Sequence, residues 1–437
     1  MDHATPARFL DSHEAAATAP LFPVDLRPAP PRRNRHAALL HRQLPPPHAD
    51  LRASVIIPAK NEAANLPATL AALAAQTDLA GRPLPAGCFE VIVLANNCTD
   101  KTADVVRQQA RRFPHLVVHA ATLCLPAAQA HVGRARRLLM DEACARLEQV
   151  GRPAGIIAST DADTRVAPTW LAAIQAELAA GADAVGGRIH TEICGPALLP
   201  LRRLQVRDTA YRLLCARLED LLDPAPSDPW PRHHQHFGAC LALTGYAYRR
   251  VGGLPEVRFL EDEALCQLLR RHDLKLRHSP HVQVLTSARR QGRVEVGLSW
   301  QLREWLHLSQ QQREPHVESP VQLAALWLAR RQLRAYWVSR PTHRHAALAA
   351  RLGLPAAALL VRTGRAATFG QLWEWVLKTG RVARVTLLSL SLALLELPLL
   401  IKHFEQAGAQ GSEDLGREAV LSVSPAGRAG SVCAAGR

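Results

Sequence analysis

Three short apolar runs in the first half of the chain each stop at a polar cluster and are each followed by a helical pattern, and this repetition leaves few folds open. Val55-Ile56-Ile57-Pro58 runs into Ala59-Lys60-Asn61-Glu62, Phe89–Leu94 into the turn Ala95–Asp100, and Gly155–Ala158 into Ser159-Thr160-Asp161-Ala162-Asp163. Helices are expected over about 64–76, where Leu66, Leu70 and Leu73 fall at helical spacing, and over about 101–112 and 168–180. Strands alternating with helices build βαβ units and a parallel sheet, and such sheets bind ligands beyond the carboxyl ends of their strands. All three polar clusters fall at such ends. The pattern predicts further strands at Leu116–His119 and Ala184–Ile189, another from Gly238, and two short ones at Lys275-Leu276 and Val282–Leu285. Further helices are expected over 131–149, 200–222 and from Phe259 to about His272. Thr99 or Asp100 is placed to cap the second helix.

A chain of 437 residues with 48% hydrophobic content can bury one sizeable α/β domain and carry a helical extension. Residues 1–50, rich in Pro, Arg, His and Ala, read as a disordered or extended leader, and the α/β domain spans 51–290. Residues 286–351 hold eleven arginines against four glutamates, with Trp300, Trp305, Trp327 and Trp337 among helical patterns. Residues 291–404 therefore read as a basic helical extension, and 405–437, polar and Gly-rich, as a disordered tail. Val385–Ile401 is at the short edge of a membrane span, and Glu396 and Pro398 within it favour a buried or interfacial helix. The net charge of +15 calls for an acidic partner, phosphates or an anionic membrane surface. With only five lysines and no basic stretch interleaved with aromatics, nucleic acid is set aside. The nine cysteines are scattered without a C-x-x-C pair, so neither a zinc site nor a disulfide framework is indicated, and a reducing compartment fits. The N-terminus shows no secretory pattern. The expected location is cytoplasmic, with peripheral attachment to the inner face of the membrane left open.

Residues i and i+2 of an extended segment point the same way, so Asp161 and Asp163 can face one crevice as oxygen ligands of a hard divalent cation, with a diphosphate supplying the rest. The cluster Pro58–Glu62 suits an anion or the polar face of a nucleotide, and equally an ordinary strand-to-helix loop. Asn96–Thr102 suits a base edge or ribose, and equally a turn with a helix cap. On residues alone both pairs of readings stay open. Glu261-Asp262-Glu263 makes an acidic first helical turn that complements the helix dipole. Adjacent acids also repel, which raises the pKa of one of them. His233-His234-Gln235-His236, beside a proline-dense loop, reads as surface ahead of a metal or acceptor site. A phosphatase of the haloacid type is excluded, because Arg165 stands at the fifth position of Asp161–Arg165 and the motif lies mid-chain.

Taken together, VIIPAKNE (55–62), VIVLANNCTDKT (91–102) and Asp161-Ala162-Asp163, in this order and spacing, resemble family 2 glycosyltransferases with a GT-A fold, over about residues 52–290. The resemblance implies an α/β GT-A architecture, a mostly parallel sheet flanked by helices, here with a C-terminal helical extension. It implies a nucleoside-diphosphate-sugar donor held by Pro58, Lys60, Glu62 and Asn96. Many members carry an acid where this chain has Ala95-Asn96, so the base is left open between uracil and others. HVGRARR (131–137) resembles the family's basic segment, with Arg134 beside the diphosphate. Asp161 and Asp163 match the D-x-D that holds Mg2+ or Mn2+, with Asp163 in direct contact. Glu261-Asp262-Glu263 resembles the acidic pair near the acceptor, where Asp262, or Glu261 second, takes the proton of a hydroxyl on a lipid, glycan or small molecule. The basic loop TSARRQGR (286–293) closes over the diphosphate or faces anionic lipid. Because some retaining members carry a similar segment, the stereochemistry is left open, with inversion expected. Gln301-Leu302-Arg303-Glu304-Trp305 echoes the Q-x-x-R-W of processive synthases, but the tryptophan is displaced and processivity is not assigned. Two alternatives stand: a sugar-phosphate nucleotidyltransferase, opposed by the lack of a G-G-x-G-x-R loop after the first strand, and a catalytically inactive membrane-associated binding protein, opposed by intact Asp161, Asp163 and Asp262.

Overall fold

The computed structural model describes residues 35–193, 195, 198–289, 297–340, 342–383 and 386–408. Strand β1 (Ala53–Ala59) is buried on both sides, so its alternating side chains feed two cores. Val55 and Ile57 join one core and Ile56 the other. β2 (Phe89–Asn96) and β4 (Ile156–Thr160) flank β1 in parallel, and β3 (Val117–Leu123) extends the sheet beyond β2. β5 (Thr164–Val166), β6 (Ala184–Glu192), β7 (Cys240–Thr244) and β8 (Leu276–Ser287) complete eight strands in the order β3-β2-β1-β4-β7-β6-β8-β5. The antiparallel pairings β4/β7, β6/β7 and β5/β8 reverse β7 and β5, so the other six strands share one direction. The expected mostly parallel sheet is thus the observed one.

Helices cover both faces. α1 (Arg35–His41) packs on the chain's central helix, and α2 (Leu66–Ala74), α3 (Thr102–Arg112) and α4 (Val132–Gln149) follow β1, β2 and β3. α5 (Trp170–Ala179), α6 (Leu199–Leu222), α7 (Gly245–Arg250) and α8 (Glu261–Arg271) complete the domain. One core packs Ile56, Ile92, Ile157 and Leu243 against Leu138, Leu139 and Leu147 of α4 and Leu265 and Leu269 of α8. The other packs Val55, Ile57, Val91 and Val93 against Leu66, Leu70 and Leu73 of α2 and Trp170 and Ile174 of α5.

Three expectations are corrected. Within the expected leader, residues 35–50 are part of the fold: Leu40 is fully buried, and Pro45 O accepts from Arg146 Nη1 at 2.7 Å. Residues 1–34 lie outside the described residues. The two short strands at 275–276 and 282–285 are one strand, β8, whose pairing with β6 jumps from Ser279 to Gln283. Pro280 has no N–H for the ladder, and the irregularity accommodates it. β5 and α7 were not anticipated, being too short to show a period.

The extension comprises α9 (Leu298–Gln310), β9 (His316–Glu318), α10 (Pro320–Ser339), α11 (His345–Leu352), α12 (Ala356–Arg365), α13 (Phe369–Thr379), β10 (Leu387–Ser389) and α14 (Leu390–Gly408). The apolar stretch 385–401 supplies β10 and much of α14, which packs Leu390, Ala393 and Leu397 against Tyr211, Leu218 and Leu222 of α6. Among the described residues no single helix is long and apolar enough to cross a membrane. Residues 290–293 of the basic loop and the tail beyond Gly408 lie outside the described residues.

Candidate active site

The two loops that follow β1 and β2 are stitched together. Glu62 N donates to Thr102 Oγ1 at 2.8 Å, Ala63 N to Asp100 Oδ2 at 3.1 Å, and Asn61 Nδ2 to Thr99 Oγ1 at 3.1 Å. The N-cap position of α3 falls on Lys101 and not on Thr99 or Asp100, though Asp100 Oδ1, one residue earlier, accepts from Thr102 N at 3.0 Å. Asn61 and Asn97 take left-handed backbone (φ 53° and 49°), which asparagine tolerates better than most residues. Asn97 is further pinned by exchanging bonds with the backbone of Leu125. These contacts hold Pro58, Lys60, Glu62 and Asn96 at one edge of the sheet: Pro58 in β1, Lys60 exposed just beyond it, and Asn96 buried as the last residue of β2.

Asp161 and Asp163 follow β4, and two arginines serve them. Arg289, just past β8, grips buried Glu62 with both terminal nitrogens (3.0 and 2.6 Å) and lies 3.1 Å from Asp163 Oδ2. Burial and the charge of Asp161 push the Asp163 carboxyl up to about 6, against the pull of Arg289. Asp161 is also shifted upward, by burial and by Asp262 and against Arg136, although 37% of its side chain remains exposed and the solvent screens the effect. Both carboxyls are thus raised, Asp163 in part by Asp161 and Asp161 in part by Asp262, so added positive charge would be favoured beside them. Their hard oxygens fit Mg2+ or Mn2+, and a metal here would draw its remaining ligands from diphosphate and water. Among the described residues no group of three or more His, Cys, Asp or Glu side chains could hold a metal ion by itself.

Arg136 of α4 joins the loop after β4 to the first turn of α8. Its Nη2 lies 2.7 Å from Asp161 Oδ1, and its Nη1 is ion-paired with Glu261. Against the cost of burial, the charges of Glu261, Asp161 and Asp262 push this guanidinium above its ordinary value. Gly238 makes room for it, since a Cβ there would sit 2.4 Å from the guanidinium carbon. Arg134, the arginine expected from the sequence, instead pairs with Glu256. The HVGRARR segment signals the region but does not tell the two arginines apart.

Helix α8 begins with Glu261, Asp262 and Glu263, and each carboxylate has a different fixture. Glu261 is buried against Arg136, and burial pushes its carboxyl above the ordinary range, with Asp262 adding to the shift. Asp262 accepts from Gly238 N at 2.7 Å and from Glu263 N at 2.8 Å. Glu263 meets His236 Nε2 at 2.5 Å. Leu260, immediately before this turn, is left-handed (φ 56°), a conformation that costs a leucine about 1–2 kcal/mol and often marks a functional site. The histidines of 233–236 are not surface groups: His233 and His236 are buried, and His233 Nε2 lies 3.0 Å from Ser279 O.

A family model described as Glycosyl transferase family 2 matches residues 54–226. It takes in the loops after β1 and β2, Arg136, Asp161 and Asp163, and ends before α8. No curated protein matches the sequence. Similar solved structures include the mannosyltransferase PcManGT from Pyrobaculum calidifontis in complex with GDP-Man and Mn2+, 19% identical over 78% of this chain and 91% of that one, with a TM-score of 0.37. Another is S. aureus TarS 1-349 in complex with UDP-GlcNAc, 14% identical over 75% and 91%, with a TM-score of 0.38. A third is M. tuberculosis glucosyl-3-phosphoglycerate synthase, 17% identical over 66% and 90%, with a TM-score of 0.33. Likenesses at these scores carry no argument, and the assignment rests on the matched segment. The chain carries a family 2 glycosyltransferase domain, built on the mostly parallel, helix-flanked sheet that its motifs imply.

Proposed function

We propose that the protein transfers a sugar from a nucleoside-diphosphate donor to a hydroxyl acceptor, with inversion at the anomeric carbon and with dependence on Mg2+ or Mn2+. The observation that supports it most is the buried Arg136, which ties Asp161 on the donor side to Glu261 beside Asp262 on the acceptor side. Glu62, Asn96, Pro58 and Lys60 border the nucleotide. Asp163, with Asp161, would hold the metal, which when bound neutralises charge developing on the departing diphosphate.

Asp262 takes the acceptor's hydroxyl proton on a carboxylate oxygen as that hydroxyl oxygen forms its bond to the anomeric carbon. The bond from that carbon to the diphosphate oxygen breaks, and the diphosphate leaves with the electron pair. The backbone N–H groups of Gly238 and Glu263 orient Asp262 for this proton transfer. Arg136 keeps Asp161 and Glu261 at fixed separation, and Arg289 does the same for Glu62 and Asp163. The reading includes peripheral binding to anionic lipid through the arginine-rich extension, where Leu392, Leu395 and Leu399 of α14 are exposed at helical spacing.

Calorimetry with UDP, GDP, UDP-GlcNAc and GDP-mannose in the presence of Mn2+, beside Asp163→Ala, tests the donor side. Binding of one nucleotide pair that is lost in the variant is expected. Retention of metal-dependent binding by Asp163→Ala would contradict the assignment of that carboxylate.

A further inference from the structure

Four polar side chains form an unbroken buried line behind the first turn of α8. Asp228 Oδ2 lies 2.7 Å from His278 Nδ1, His278 Nε2 lies 3.1 Å from His236 Nδ1, and His236 Nε2 lies 2.5 Å from Glu263 Oε2. The elements joined are the loop before β7, strand β8 and helix α8.

The two ends of the line are acceptors. Although burial opposes it, the hydrogen bonds and charge of His278, with Arg232, hold the Asp228 carboxyl well below the carboxylate range. Burial likewise opposes ionisation of Glu263, yet His236 and Arg270 hold its carboxyl at about 2. An ionised carboxylate only accepts, so His278 Nδ1 and His236 Nε2 both carry hydrogens. A neutral imidazole has one N–H. Two neutral rings would therefore set two lone pairs face to face across the 3.1 Å gap between His278 and His236. That contact requires a third proton.

We propose that His236 and His278 hold this proton as a singly charged pair, and that the pair clamps the segment 232–238 onto α8 and so positions Asp262. The link to Asp262 is short. Gly238, two residues after His236, donates its N–H to Asp262 Oδ2, while Glu263 is the next residue along α8. The two bonds fasten the same loop to the same helical turn. His278 is shifted down by burial, against the pull of Asp228.

The surrounding charges are accounted for. Arg232 and Arg277 both contact Asp228, at 3.3 and 3.1 Å, and Arg270 of α8 lies 3.5 Å from Glu263. His233 is held down at about 3, chiefly by burial, and His234, facing Arg212 of α6, also lies well below its ordinary value. Both are neutral, so neither supplies the third proton. His236 and His278 are positioning residues: they act on the acceptor side through Gly238 and Asp262.

The role in transfer rests on the reading of Asp262 as the base, whereas the proton count does not. The full chain labelled with 15N-histidine, its imidazole signals assigned by through-space contacts in the wild type, should show three ring N–H hydrogens on the pair at pH 7, those on His278 Nδ1 and His236 Nε2 among them. One N–H on each ring would overturn the charged pair. Amide exchange then tests the clamp: in His236→Gln the Gly238 amide should exchange at least tenfold faster than in the wild type, with the β7 amides unchanged. Unaltered protection of Gly238, or a loss spread through β7, would overturn it. Neither readout uses donor or acceptor, so a failure here leaves the transferase reading intact, and a failure to transfer sugar leaves the proton count intact.

Discussion

At the scale of single residues, the site is a set of carboxylates separated by guanidinium groups. Arg136 and Arg289 each bridge two acids, which lets Glu62, Asp161, Asp163 and Glu261 crowd one end of the sheet. Asp262 stands apart because its fixtures are backbone N–H groups, and a carboxylate so held can still accept a proton. Asp262→Asn keeps the outline, gives up one of the two backbone N–H bonds and removes the proposed base, so kcat should fall by about 10²–10⁴ with the donor KM little changed, read by steady-state release of nucleoside diphosphate. Asp163 predicts a pH dependence. Its carboxyl, at about 6, binds a proton below that pH, and a metal must displace the proton. Mn2+ affinity in the presence of nucleotide should therefore weaken progressively below about pH 6 and level off above it, as measured by calorimetry. The pair Asp161/Asp163 was legible in the sequence as two acids at the end of a strand, although they lie on the turn between β4 and β5, closed by Thr164 N donating to Asp161 O at 3.1 Å, and not on extended chain. Arg136 was not, because on a helix it lies about 200° round from Arg134, and nothing local says which of the two faces the crevice. The burial of His236 was hidden for a similar reason: its partners, Glu263 and His278, lie 27 and 42 residues away.

At the scale of elements, the apolar runs and leucine spacings were enough to place β1 to β4 and α2 to α5, since each alternation or helical period maps directly onto a buried face. What escaped was set by partners far along the chain: the jump in β8 at Pro280, and the docking of α1. One buried ion pair ties strand to helix at this level. Arg146 of α4 holds Glu90 of β2 with two nitrogens at 2.9 and 2.6 Å, with His119 and Ser54 adding further bonds to the same carboxylate. Although burial opposes it, this grip lowers the Glu90 carboxyl to about 2. A depressed folded-state value stabilises the fold above the unfolded value of about 4.5 and loses that contribution as pH falls toward 2. Glu90→Gln leaves buried Arg146 with only the more distant carboxylate of Glu142, at 4.0 Å, and should cost about 3–5 kcal/mol at neutral pH. Its urea-unfolding stability should also vary less than the wild type's between pH 4.5 and 2.

At the scale of the whole molecule, the extension is attached to the catalytic domain by specific contacts. Arg330 of α10 reaches Glu219 at 2.7 Å and Asp223 at 2.5 Å at the end of α6, and Arg334 pairs with Asp223 too, so part of the basic charge is turned inward. α13 meets α8 closely: Asp273 accepts from Phe369 N and Gly370 N, both at 2.8 Å, and a Cβ on Gly370 would sit 1.9 Å from Arg270 O. Gly370→Ala must push these helices apart and should cost about 1–3 kcal/mol, seen as a lowered Tm. If the outward arginines and the α14 leucines meet lipid, the full chain should co-sediment with vesicles rich in phosphatidylglycerol and release as salt rises, while neutral phosphatidylcholine vesicles leave it in solution. The central claim is sugar transfer across the crevice that Arg136 spans. Its most direct measurement is nucleoside diphosphate release from a panel of nucleotide sugars with Mn2+ and hydroxyl acceptors, in wild type, Asp163→Ala and Asp262→Asn. The account predicts metal-dependent release from one donor, lost in the first variant and greatly slowed in the second. Release that is indifferent to both substitutions, or silence across the panel together with no calorimetric binding of any nucleotide, would contradict it.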